Sequence, residues 1–431
     1  MKINKIGNVN FIDGGVCAAK GFRANGIQCG LAHKPLSDTE KNSAVSNNAI
    51  PSAKKKNDLA LIVADKECTA AAVYTTNKVK GAPIIVTKKH LENGRAKAVI
   101  VNSVNANTCN PDGVQKAEKM CELTAQQLGI SVDDVIVAST GVIGQVLPIE
   151  PIAAGMQELA DGLSYDGNKC ALEAIMTTDT QPKEIAVEFE MGGKICRMGG
   201  MLKGSGMIHP NMATTLTFIT TDADISSELL HLALSDVVKV TLNRASVDGD
   251  TSTNDMVCIM ASGTAENKPV VHEDADFEIF ENALYNIMMN LARMMARDGE
   301  GATKLIECTV SGAETEKIAE TVAKSVITSS LFKAAMFGED ANWGRILCAV
   351  GYADADFDIN KVDVRIGSDK GFIHVCENGA GVEFSEETAK EILSEDEIQI
   401  VISLGNGAGA AVAWGCDLTY DYVKINGDYR S

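Results

Sequence analysis

Short apolar runs rich in β-branched residues alternate along this chain with segments whose apolar residues recur every three or four positions. This alternation constrains the fold more than any other feature, because one backbone cannot satisfy a strand period and a helix period at once. Residues 59–64, 98–102 and 135–138 read as buried strands. Between the last two, Val114, Ala117, Cys121 and Leu128 mark one helix face, and Gly129 stops it. A second helix is expected over 151–163, with Pro151 in its first turn. Further along, 228–242, 315–337 and 386–393 read as helices. So does the stripe Phe277, Phe280, Leu284, Met288, Leu291 and Met295, whose methionines suit a core. Strands are expected at 304–310 and 398–404. The pattern predicts an α/β fold, a layered sandwich of sheets covered by helices, with the strand order left open.

The chain has 431 residues, enough for two domains or one large α/β body with two halves. Apolar residues make up 45%, so a sizeable core can form. The polar stretch 34–56 has no hydrophobic period and reads as a surface insertion rather than a linker. A formal net charge of −19 repels phosphate backbones and anionic lipid, so neither nucleic acid nor membrane is an expected partner. No apolar run is long enough for a transmembrane helix. The first residues, MKINKIGNVNFIDGG, are charged and polar where a secretory signal would be apolar. Twelve Cys are spread singly from Cys17 to Cys416. That spacing suits reduced thiols, mostly small core side chains, in a cytoplasmic protein.

Some motifs fail on their context. Gly405, Gly407 and Ala410 match a dinucleotide fingerprint, but AVAWGCDLTY follows where a helix is required, and it reads as another strand. Asp354, Asp356 and Asp358 begin like a calcium loop, yet Ile359 stands where glycine is needed and Arg365 where glutamate is needed. The acidic run 247–255, VDGDTSTND, lacks the loop glycine as well. The six His do not pair at ligand spacing, so no zinc site is expected.

Residues 200–222, GMLKGSGMIHPNMATTLTFITTD, carry the clearest chemistry. Lys203 sits in a Gly-rich turn, Pro210-Asn211 breaks regular structure, and Ala213-Thr214 enters a β-prone run. A threonine hydroxyl is a weak nucleophile unless a base takes its proton. Cleavage before Thr214 would supply that base as a free α-amine, whose ordinary pKa is about 7.7–8.0. The same hydroxyl could make the cut by attacking the Ala213 carbonyl. On the residues alone, a glycine-rich loop feeding a threonine-rich strand is the favoured reading. A second segment, Ser139-Thr140-Gly141-Val142-Ile143-Gly144, ends the 135–138 strand with a hydroxyl and glycine N–H groups suited to a developing oxyanion. A turn that merely needs glycine would look the same.

The run KGSGMIHPNMATTLTFITTDA closely resembles the self-cleaving segment of the ornithine acetyltransferase family, the bifunctional glutamate N-acetyltransferases of arginine biosynthesis. STGVIG at 139–144, MTTDTQPK at 176–183, VDGDTSTNDM at 247–256, DGEGATKLIE at 298–307, DANWGRI at 340–346 and AWGCDLTYDYVKIN at 413–426 extend the resemblance over nearly the whole chain. It implies self-cleavage between Ala213 and Thr214, giving an α chain of 1–213 and a β chain of 214–431. It implies Thr214 as the acetyl-carrying nucleophile and Thr140 and Gly141 as the oxyanion hole. Thr180, Lys203, Thr214, Glu300, Asn426 and Ser431 are the implied substrate contacts. Lys203 would pair with a carboxylate and Glu300 with an ammonium. Asp179 and Lys183 read as ordinary turn charges. The implied reaction moves acetyl from N2-acetyl-L-ornithine to L-glutamate, with acetyl-CoA a second donor in some members. No metal or bound cofactor is implied, and the implied assembly is a heterotetramer of two α and two β chains.

Val104 stands where the family pattern leads one to expect glycine, and 34–56 is unusual. Thr215 offers a neighbouring hydroxyl. Two alternatives stay open: a self-processing aminopeptidase of related fold, which would release acetate without glutamate, and a non-catalytic binding homologue, which would bind acetylornithine without producing ornithine.

Overall fold

A computed structural model describes residues 1–31, 56–209 and 215–428. Its first sheet contains β1 (Asn10–Ile12), β2 (Phe22–Ile27), β3 (Leu59–Tyr74), β4 (Arg95–Asn102), β5 (Val135–Ser139), β6 (Glu184–Met191), β7 (Lys194–Lys203), β8 (Leu216–Thr221) and β9 (Met256–Ala261). The spatial order is β1-β6-β7-β8-β9-β3-β4-β5, with β2 also paired to β3. The pairs β8–β9 and β4–β5 are parallel, and the other pairs are antiparallel.

Strand periodicity sends alternate residues to opposite faces. Leu59, Leu61 and Val63 of β3 therefore pack with Ile100, Val135 and Val137 against Val86, Met120, Ile152 and Leu159. Those four lie on α1 (Ala82–His90), α2 (Gly113–Leu128) and α3 (Glu150–Asp161). The alternate residues Ala60 and Ile62 join Val99, Ile136, Phe218 and Cys258 on the other face, with Leu172 and Ile175 of α4 (Asn168–Ile175). Across β6–β9, Val187, Met198, Ile219 and Val257 meet α5 (Ser227–Val240) and the long α6 (Ala275–Arg297).

The second sheet runs β13-β12-β11-β14-β10-β15. Its strands are β10 (Leu305–Ala313), β11 (Asp363–Ser368), β12 (Gly371–Glu377), β13 (Ala380–Gly381), β14 (Glu397–Ser403) and β15 (Gly409–Cys416). Around its core lie α7 (Glu316–Thr328), α8 (Ser330–Phe337), α9 (Trp343–Gly351) and α10 (Glu386–Leu393). Trp414 and Cys416 of β15 belong to the same core as α5 and α6, which joins the two sheets. The last described helix is α11 (Tyr420–Asp428). The expected α/β class with helix-covered sheets is what the molecule shows.

Local chemistry sets the element ends. Gly129 closes α2 in the left-handed region at φ 66°. Asp274 caps α6 by accepting from Asp276 N and Phe277 N. The single helix expected over 315–337 is two helices. Ser329 is extended, at φ −68° and ψ 111°, and its side chain accepts from Phe332 N, so it starts a new helix instead of continuing the old one. β3 runs 16 residues: along one edge it pairs with β4, with a register shift between Val63 and Cys68, and along the other edge β2 pairs with its first half and β9 with its second. All twelve Cys are unpaired, and seven are buried, as small core side chains would be.

The boundary between 213 and 214 lies outside the described residues, and in sequence it separates two paired strands: Lys203 of β7 is paired in register with Leu216 of β8. Residues 34–55 of the expected insertion lie outside the described residues. Lys56, its last residue, donates to Thr177 O at 2.9 Å. Among the described residues no helix is long and apolar enough to cross a membrane, and no His, Cys, Asp and Glu cluster could hold a metal ion.

Candidate active site

Thr140 and Gly141 follow directly on β5. The Thr140 N–H is engaged by Asn102 O at 3.0 Å, while the Thr140 hydroxyl and the Gly141 N–H have no partner among the described residues. Gly141 has φ 121°, and a Cβ there would sit 2.2 Å from Val104 O. Only glycine fits that close approach. The residue at 104 itself has an ordinary backbone, so valine is unstrained there. Asn254 braces the turn from outside: its Nδ2 donates to Ser139 O at 2.9 Å and to Ala106 O at 2.6 Å, and its Oδ1 accepts from Thr108 and Thr253.

Facing this turn is a cavity of about 140 Å³, whose lining includes Thr140, Gly141, Lys203, Gly206, Glu300 and Asn426. Lys203 ends β7, and its ammonium has no hydrogen bond or ion pair among the described residues. Glu300 is 9% exposed and accepts from Asn426 Nδ2 at 2.8 Å. Gly206 makes room for it, since a Cβ at 206 would lie 2.3 Å from the Glu300 carboxyl carbon. Polar hydroxyls from Thr177, Thr178, Ser252 and Thr253 complete the lining. A free ammonium, a nearly buried carboxylate and unspent oxyanion donors suit a small amino acid with an acyl group.

Thr180 is not in this lining. It faces a neighbouring cavity of about 700 Å³, and its hydroxyl is bonded to Asp298. Ala213, Thr214 and Ser431 lie outside the described residues. Both flanks of the 213–214 bond are pinned by the 247–256 run. Asp248 accepts from Met207 N at 2.6 Å and Ile208 N at 2.8 Å, and Met256 N donates to Thr215 O at 2.8 Å. Met207 is held at φ 58°, an uncommon state for a bulky side chain. The Thr215 hydroxyl is buried against Thr217 Oγ1 at 2.6 Å.

Asp179 and Lys183 are not solvated turn charges. Both side chains are buried, at 0% and 1% exposure. Lys183 Nζ lies 2.7 Å from Asp179 Oδ1 and 2.5 Å from Asp298 Oδ2. Asp179 also accepts from Gly204 N at 2.9 Å, and Ser205 Oγ donates to Asp298 O at 2.6 Å. Burial opposes ionisation of Asp179, but the charges of Lys183 and Lys203 outweigh it and hold the carboxyl well below its usual range. This network fixes the turn that follows Lys203 and the loop that carries Glu300. Sequence reasoning missed it because the partner at 298 is far away in sequence.

A family model described as the ArgJ family matches residues 44–431. The arginine biosynthesis bifunctional protein ArgJ 1 of Clostridium acetobutylicum is 48% identical over 403 residues, covering 93% of this chain and 98% of that protein. The chain belongs to the ArgJ family. Among solved structures, an arginine biosynthesis bifunctional protein ArgJ from Bacillus halodurans shares 48% identity, covering 49% of this chain and 98% of that one, with a TM-score of 0.47. Ornithine acetyltransferase from Mycobacterium tuberculosis, solved with ornithine, shares 33% identity, covering 48% of this chain and 100% of that one, with a TM-score of 0.40. In this ArgJ family member the cavity draws on both sides of residue 214, since Thr140, Gly141 and Lys203 precede it and Glu300 and Asn426 follow it.

Proposed function

We propose that this acyltransferase of arginine biosynthesis moves acetyl from N2-acetyl-L-ornithine to L-glutamate by way of an acetyl group on Thr214. The observation that carries the reading is the convergence of Lys203, Glu300, Asn426, Thr140 and Gly141 on one small cavity. Self-cleavage between Ala213 and Thr214 comes first and frees the Thr214 α-amine. The amine then takes the hydroxyl proton as Thr214 Oγ attacks the acetyl carbon. The oxyanion is held by the Gly141 N–H and the Thr140 hydroxyl. Lys203 pairs with the α-carboxylate shared by donor and acceptor. Glu300, held by Asn426, takes the ammonium of the ornithine side chain. Ornithine leaves, glutamate enters, and the acetyl group passes to its amine. Acetyl-CoA is a second donor under the same scheme. Thr180 acts from the neighbouring cavity by holding Asp298, Ser431 closes the site, and two α and two β chains assemble in the cytoplasm.

Intact mass under denaturing conditions, followed by an acetylornithine and glutamate assay, tests this reading. Fragments 1–213 and 214–431 are expected, with ping-pong kinetics. Thr214→Ala should stay whole and produce no ornithine; a cut or active variant would sink the mechanism. Acetate release without glutamate would point to a hydrolase instead.

A further inference from the structure

Asn254 holds together the backbone from which the oxyanion donors project, yet the scheme above gives it no part. Segments 102–108 and 139–144 are stitched side by side. Thr140 N donates to Asn102 O and Val142 N to Val104 O, both at 3.0 Å; Ala106 N donates to Val142 O and Gly144 N to Thr108 O, both at 2.9 Å. Asn254 is buried and reaches both segments. Its Nδ2 donates to Ala106 O and Ser139 O, and its Oδ1 accepts from the Thr108 hydroxyl at 2.6 Å and the Thr253 hydroxyl at 2.7 Å. Two N–H donors and two lone pairs are all that an asparagine amide has, so none is left over. The amide cannot turn over, because Oδ1 would then face two carbonyl oxygens. It has no space to back away either, since a Cβ at Gly81 would lie 2.6 Å from Nδ2.

The effect reaches the donors through one peptide unit. The unit joining Ser139 to Thr140 is held at both ends, its oxygen by Asn254 and its N–H by Asn102 O. The unit joining Gly141 to Val142 is held through its N–H by Val104 O. Between them, the Thr140–Gly141 unit offers an N–H with no partner among the described residues. Donors aimed at a developing charge are most effective when they are oriented in advance and need not reorganise as the charge forms. A free peptide N–H between two pinned neighbours meets that condition.

We infer that Asn254 is a positioning residue that presets the Gly141 N–H and the Thr140 hydroxyl for the oxyanion. The inference rests on the oxyanion-hole role given to those two residues above. Ala106, Thr108 and Ser139 all precede residue 214, whereas Asn254 follows it. After the cut, the same amide therefore ties one chain to the other beside the donors. A buried asparagine that only satisfies backbone groups would add stability and nothing more. The two roles separate in the kinetics of a folded variant.

Asn254→Asp keeps the shape and the two accepting contacts but sets an oxygen against Ala106 O and Ser139 O. The variant should still be cut into 1–213 and 214–431, because the Asn254 side chain bonds to residues 106, 108, 139 and 253 and not to the described flanks of that bond. Assayed well below its unfolding midpoint, its kcat should fall on the order of 10²-fold, the size of one lost oxyanion donor. Ornithine affinity, read by calorimetry, should stay within about twofold of the parent's, since a group that acts only in the transition state leaves ground-state binding alone. A folded, cut variant with the parent's kcat would overturn the inference and leave Asn254 a packing residue. So would a loss of ornithine affinity large enough to account for the whole fall in kcat/KM. A folded chain that stays whole would overturn it by placing Asn254 in the cleavage step. If the Asp variant fails to fold, Asn254→Ala, which sets no oxygen against the carbonyls, should lose kcat while holding ornithine affinity; a parent-like kcat there would count against the role. A whole or inactive parent would sink the Thr214 reading and this inference together, whereas an active parent with an indifferent Asn254→Asp would sink only this inference.

Discussion

The second sheet and the wall beside the candidate site fill their interiors with opposite materials. Ile306, Cys308 and Val310 of β10 pack with Ile398, Ile400 and Ile402 of β14 under Ala319, Val322 and Val326 of α7, all fully or almost fully buried. At the site wall the buried groups are Asp179, Lys183 and Asp298, tied to the Gly204 N–H and the Ser205 hydroxyl. Apolar packing is non-directional and tolerates small changes of shape. A buried charge cluster has directional bonds, and removing one member leaves the others uncompensated. The wall therefore holds fewer side chains in narrower positions. It joins segments around 179–183, 204–205 and 298 that no single strand or helix could hold together. That rigidity suits a cavity whose Lys203 and Glu300 must stay where a small substrate meets them.

Lys183→Met should test this contrast most severely. It keeps much of the side-chain volume and leaves two carboxylates facing each other. Loss of one partner from a buried pair costs about 3–5 kcal/mol. The urea midpoint at pH 7 should drop accordingly. Ornithine production should fall too, because the turn after Lys203 loses the geometry set by Asp179. A variant within about 1 kcal/mol of the parent would mean that the wall behaves like the apolar core, and the comparison would fail.

The same variant sharpens the contrast through pH. In the parent, Asp179 has a depressed pKa, so its contribution is present above the unfolded carboxylate range and is lost as pH falls through the folded value. In Lys183→Met the ammonium is gone and burial dominates, which raises the carboxyl pKa. The variant then gains relative stability as pH falls and the orphaned acid becomes neutral. The stability gap between the two proteins should narrow from pH 7 to about pH 4.5 by about 1.4 kcal/mol or more, one pKa unit's worth. Parallel urea titrations at the two pH values check this, and a constant gap would show that charge is not what the wall contributes.

These regions also differed in how far the sequence exposed them. β14 was visible as an alternating apolar run, and α10 as an amphipathic stretch closed by Leu393, because strand and helix periods are local. Lys203, Thr140 and Gly141 stood out in glycine-rich turns after strands, again a local signal. The charge cluster was hidden because Lys183 finds Asp298 at a sequence separation of 115, and the 176–183 run alone looks like a polar turn. Asn254 was hidden for the opposite reason: it sits among Asp248, Asp250 and other polar residues that suggest a solvated loop, while the fold turns it inward. The break at Ser329 was missed because the apolar period continues across it, and only the cap hydrogen bond to Phe332 N reveals the new start.

The smallest effect should come from the other side of the comparison. Ile400 is fully buried in the second sheet's core, whose residues share none of the cavity lining. Ile400→Val removes one methylene, typically about 0.5–1.5 kcal/mol. No ionisable group changes partner, so the loss should be the same at pH 7 and pH 4.5. Nothing in the lining moves, so kcat and KM should match the parent. A pH-dependent loss, or a fall in kcat with the fold intact, would mean that the second sheet communicates with the site through α6 and β15, and that the two interiors are not independent.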